Sequence, residues 1–83
     1  MEKKERFQLA KARVMKKFKN ATTMADSKGK FYVAEEGRDV CNLEIHNALA
    51  KGVSFEKLAL IKEVKHADTV LGAWLNAENM LVA

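Results

Sequence analysis

The chain has no proline, one cysteine, one tryptophan and one tyrosine in 83 residues, and none of its apolar runs approaches the ~18 to 20 residues that a bilayer-crossing helix needs. Each scarcity excludes something. Without proline, and with 48% apolar residues, the composition is that of an ordered globular chain rather than a disordered tail. Cys41 has no second cysteine to pair with, and there is no signal-peptide pattern, so a reducing cytoplasm is the expected compartment. Only four glycines are present; Lys28-Gly29-Lys30 lacks the rest of a phosphate loop, and no dinucleotide fingerprint exists.

Groups for catalysis are equally sparse. Cys41 and His46 are near in sequence, yet no third residue completes a thiolate-base arrangement, and a lone cysteine at a helix edge is more often a small buried hydrophobe. Glu35 and Glu36 are adjacent and point to opposite sides of an extended segment. Cys41, His46, His66 and Asp68 lack the paired spacings of zinc sites. The expectation is a protein that is not an enzyme and holds no cofactor or metal.

Charge is plentiful and lopsided. Eight of the fifteen lysines and arginines fall in the first twenty residues against two acids, although the whole chain carries only +4. The spacing predicts a helix from Glu2 to about Asn20 with Phe7, Ala10, Val14, Phe18 and Ala21 inward and the basic residues around the rest of its circumference. Acids at its start and lysines at its end suit the helix dipole, so a solvated face is the plainest account of the charge. The functional one is phosphate neutralisation through Lys11, Arg13, Lys16 and Lys17; adsorption to an anionic membrane is a third.

Between Ala21 and Asn42 the helical period fails. Thr22, Thr23, Asp26, Ser27 and Gly29 read as turn formers before a strand-like Lys30 to Ala34, which Glu35-Glu36-Gly37 can fold back on Arg38 to Cys41 as a short hairpin or ordered loop. Lys30, Phe31, Tyr32 and Arg38 in this stretch suggest a clamp for a small anion such as a nucleotide, although two aromatics anchoring a loop explain it more simply. A second helix is expected from Leu43 to Lys51, with Asn42 as N-cap, Gly52 as terminator and Ile45, Ala48 and Leu49 buried.

The longest periodic stretch runs from a capping Ser54 to Leu81. Leu60, Val64, Ala67, Leu71, Trp74 and Leu81 form one row, and Leu58, Ile61 and Leu75 widen it, which is more apolar surface than two short helices readily cover. A break near His66 to Asp68, with Asp68 capping a fourth helix, fits nearly as well. The apolar Met80-Leu81-Val82 at its end either continues this packed face or forms a docking site.

Ala48, Gly52, Val53, Ser54, Leu58 and Ile61 have the spacing of a helix-turn-helix core and resemble it over about twenty residues. Asn47 and Lys51 stand where that motif usually has apolar residues, and the would-be recognition helix offers Lys57 as its one basic group in the exposed start. The resemblance implies a helical corner and, in a DNA-binding version, readout by that helix.

The sequence therefore predicts a single mainly α domain of three to four helices, with a short hairpin or ordered loop after the first. The expected function is a small regulatory or adaptor protein that binds another protein, as a homo-oligomer, through Leu60, Val64, Leu71, Trp74, Leu75 and Leu81. The alternative is nucleic-acid binding through Lys11, Arg13, Lys16, Lys17 and Lys57. Small size, lysine content and the lack of catalytic groups would suit an accessory protein of a phage or mobile element.

Overall fold

The computed structural model describes residues 2–61 and 66–81, without the side chains of Leu60 and Ile61. Helix α1 (Lys3–Lys17) leads into strands β1 (Thr22–Ala25), β2 (Phe31–Glu35) and β3 (Arg38–Asp39), followed by helices α2 (Val40–Ala50), α3 (Phe55–Ile61) and α4 (Val70–Met80). Four helices make the description mainly α fair. The β content exceeds a hairpin, because the strands form a three-stranded antiparallel sheet in the order β1-β2-β3.

Helix α4 is the centre of the molecule. It packs against α1, against the sheet through β2 and β1, and against α2. Ala73, Trp74, Ala77 and Met80 are all buried on it, and the core continues through Ala10, Val14 and Phe18 of the α1 region and Val33 of β2. The Trp74 ring meets Phe7 edge-on with centroids 6.4 Å apart, and its indole N–H donates to Thr23 Oγ1 at 2.9 Å. Within the described part of the apolar row, Leu58, Ala67, Trp74, Leu75 and Leu81 pack in or against this core, because the sheet adds a covering layer that turn-forming residues did not advertise.

Four expectations are corrected. The unbroken helix from Ser54 to Leu81 gives way to the alternative, a break near His66 to Asp68: Ala67 is outside helical geometry and pairs with Phe31 by two backbone bonds of 2.7 and 2.8 Å. The cap of α4 is Thr69, whose Oγ1 accepts from Gly72 N–H, rather than Asp68. The cap of α2 is Asp39, which accepts from Cys41 N–H, so α2 starts two residues before Asn42. Thr22–Ala25, read as a turn, is a strand whose register with β2 runs from Thr22 opposite Ala34 to Ala25 opposite Phe31.

Other local signals hold. Ser54 Oγ accepts from Lys57 N–H at 3.1 Å, and the Glu36-Gly37 turn joins β2 to β3 with both residues at positive φ. Gly72 lies where the 66–69 connection presses on α4: a Cβ there would stand 2.9 Å from Ala67 Cβ and 3.1 Å from Thr69 Oγ1. Gly→Ala inside a helix ordinarily gains up to ~1 kcal/mol. At Gly72 the sign is expected to reverse to a loss of about 1 kcal/mol or more, since Ala67 is tied to β2 and yields only with the bridge. A lowered urea midpoint for Gly72→Ala would show it.

Candidate functional site

In antiparallel strands, paired residues share a face and neighbours alternate. Thr23, paired with the buried Val33, faces Trp74; Met24 and Tyr32 therefore lie on the other face of the sheet. His66 precedes Ala67, the partner of Phe31, and so arrives beside Tyr32. The rings stack with centroids 4.4 Å apart and planes 15° from parallel.

Both imidazole nitrogens meet carboxylates: Nδ1 lies 2.6 Å from Asp26 Oδ2 and Nε2 lies 3.2 Å from Asp39 Oδ2. Asp26 comes from the β1–β2 turn, where its Oδ1 also accepts from the backbone N–H of Lys28 and Lys30. Beside it, Lys30 pairs with Asp68. Residues 66–68 are thus fastened to the sheet by a bridge, an ion pair and an imidazole bonded at both nitrogens.

The hydrogen bond to Asp26, with a second to Asp39, holds His66 above the usual imidazole range against the opposing effect of partial burial. Asp26 is lowered to about 2, chiefly by His66 and then by Lys30 N–H. A raised histidine stabilises fully below its ordinary value of 6.5 and loses that contribution as pH rises through its folded value. A depressed aspartate contributes above its ordinary 3.8 and loses it as pH falls through about 2. Stability is therefore expected to decline on the alkaline side of 6.5. His66→Gln should flatten that decline above 6.5 and should also shrink the loss on the acid side, since His66 is the chief cause of the Asp26 depression, both as read by urea midpoints.

A small cavity opens next to this cluster, lined among others by Tyr32, Asp39, Cys41, His66 and Asn76, with room for about one water at ≈ 10 Å³. It does not accommodate a nucleotide, and the neighbouring charges of Asp26, Asp39 and Asp68 oppose an anion. The expected clamp is dispersed: Lys30 is paired with Asp68, Tyr32 is stacked on His66, and Arg38 is exposed. Cys41 is buried and shares the cavity with His66, a pairing the sequence did not suggest; as arranged, neither ring nitrogen is free to take the thiol proton. His46 is exposed, and no group of three potential metal ligands occurs among the described residues.

The basic residues of α1 do not form one open stripe. Arg13 and Arg6 both reach Glu78, whose carboxyl is held below its usual range chiefly by the Arg6 hydrogen bond. Lys17 pairs with Glu44, and Lys11 Nζ stands 6.0 Å from the Phe7 ring centroid and 5.9 Å from that of Trp74. Lys16 and Lys57 are exposed, on α1 and α3 respectively. Glu44 is wholly buried on α2, and its Oε2 has no hydrogen-bond partner. Two acids inside the fold, invisible to a hydropathy pattern, draw the cations inward.

The predicted protein-binding row also resolves residue by residue. Trp74 is 2% exposed and belongs to the core. Leu71, Leu75 and Leu81 are half-buried, with Leu75 and Leu81 packed on that core. Val64 and the Leu60 side chain lie outside the described residues. Met80 is buried, so this part of the C-terminal stretch continues the packed face, while Val82 is not described. Among the described residues the exposed large apolar side chains are elsewhere: Phe55 at 67%, Met24 at 44%, Leu49 at 41% and Val70. Leu49 was expected inside; α2 instead buries Val40, Cys41, Glu44 and Ala48. No helix among the described residues is long and apolar enough to cross a membrane.

No known protein-family model matches the chain, and comparison with curated proteins and with solved structures gives no match.

Proposed function

We propose that the protein is a non-enzymatic adaptor that acts by binding another protein and works as a homo-oligomer. The observation that carries this reading is the corner between α2 and α3. Phe55 stands two-thirds exposed in the first turn of α3, six residues from the exposed Leu49 and across the turn at Gly52. An aromatic left in water at a fixed corner is a ready anchor for a partner's apolar groove. The corner keeps the helix-turn-helix spacing, but Phe55, Glu56 and Ala59 at its exposed surface suit a protein better than a phosphate backbone.

The nucleic-acid alternative draws less support, because Arg13 and Lys17 are engaged with Glu78 and Glu44. Light scattering at low and high salt, with and without a short mixed-sequence duplex, separates the two. A multimer at both salts that ignores the duplex supports the adaptor; a monomer that joins the duplex only at low salt overturns it. For the corner itself, peptides selected on the wild-type protein should lose binding to a folded Phe55→Ser variant. Indifference to that change would remove Phe55 from the mechanism.

A further inference from the structure

We propose that two copies of the chain pair through the free edge of β1, antiparallel and about a two-fold axis at Met24. This rests on the reading of the protein as a homo-oligomer and names the surface responsible. Phe31 uses its N–H and C=O on Ala67, on the side of β2 away from β1. The Ala25–Phe31 pair is therefore a non-hydrogen-bonded one, and the N–H and C=O of Ala25, and of Thr23 two residues earlier, point away from β2. Among the described residues no backbone group pairs with them. Edge strands are usually blunted by lysine, proline or a bulge. Thr22-Thr23-Met24-Ala25 has none of these, and its exposed Met24 lies on the outer face.

What makes a second copy the occupant is self-complementarity. With Met24 opposite the second copy's Met24, Thr23 exchanges both its backbone bonds with the second copy's Ala25, and the symmetric pair does the same. All four outward groups on each strand are satisfied, and the exposed methionines cover each other. The same register carries the exposed Lys28, in the β1–β2 turn, toward the second copy's Asn20, whose backbone N–H already holds the Glu35 carboxylate at 3.1 Å. Two Lys28–Glu35 contacts of opposite charge then flank the strand pair. The result is a continuous six-stranded sheet with both helical layers on one side.

Light scattering near physiological salt should give twice the 9.3 kDa chain mass. In a non-hydrogen-bonded antiparallel pair the facing Cα atoms are ~4.5 Å apart, within the range of a disulfide. Met24→Cys should therefore cross-link to a dimer under mild oxidation, whereas Ala12→Cys on the exposed face of α1 should not. Ala25→Pro removes an outward N–H and leaves the β1–β2 ladder intact, so it should give a monomer with unchanged circular dichroism. Should that variant fail to fold, Met24→Lys, which sets two lysines face to face, decides in its place. A wild-type monomer would overturn both this interface and the homo-oligomer on which it rests. A wild-type dimer in which Met24→Cys does not cross-link, or which survives the edge variants, would overturn the β1 interface alone.

Discussion

Trp74→Ala is expected to destabilise the domain by ~3–5 kcal/mol and to leave much of the chain unfolded at room temperature. The indole is 2% exposed, forms the wall between α1 and the sheet, and touches Phe7, Lys11 and Thr23. Its removal opens a cavity lined by three elements whose backbones are held elsewhere, so collapse around it is limited. For a chain of this size total stability is roughly 4–12 kcal/mol, and the loss is a large part of that. Trp74→Phe keeps a ring but strands Thr23 Oγ1 without its donor, and a smaller loss of ~1–2 kcal/mol is expected. Urea unfolding followed by far-UV circular dichroism reads both. A Trp74→Ala protein with an unchanged midpoint would mean that the indole faces a partner rather than this core.

Lys17→Met is expected to cost ~3 kcal/mol, far more than removal of a surface lysine. Lys17 is itself nearly half exposed, so its charge is partly screened by water. The effect comes from Glu44. Its carboxylate is fully buried, its Oε1 meets Lys17 and, only at 3.5 Å, Asn47 Nδ2, and its Oε2 has nothing. Without Lys17 the fold would enclose a charge with no counterion. Adding Glu44→Met to Lys17→Met should recover most of the loss, because replacing both members of a buried pair with apolar groups is commonly neutral or stabilising. A double-mutant cycle on urea midpoints gives the coupling, and near-additive losses would show that the pair is not what holds Glu44 inside.

How far the sequence foretells this architecture differs from element to element. The first helix, with its stripe of Phe7, Ala10, Val14 and Phe18, and the Gly37 hairpin are legible because each rests on a local period or a backbone requirement. The strand Thr22–Ala25 is not, since threonines next to Asp26 and Gly29 serve a strand end as well as a turn, and only its pairing with β2 decides. The split at Ala67 is legible only as an alternative break near His66 to Asp68, for a related reason: its apolar side chain fits the helical row, and the bond to Phe31 that removes it from a helix is a backbone contact. The cluster around His66 joins positions 26, 32, 39 and 66, which no spacing rule connects. Glu44 and Glu78 show the limit most plainly, because a pattern that sorts acids to the surface misassigns both, and with them the cations they hold.

The pairing of α1 with α4 links positions as far apart as Arg6 and Glu78, 72 residues along the chain. Polypeptides emerge from the ribosome at about 5–20 residues per second, so several seconds separate the birth of α1 from that of the helix that covers it. During that interval Phe7, Val14 and Phe18 have no native surface to meet, and the sheet lacks the helix that packs on it. The domain cannot assemble progressively from its beginning; its core closes as one late event, and until then the nascent chain depends on its dense positive charge, or on a chaperone, to keep that stripe from associating elsewhere.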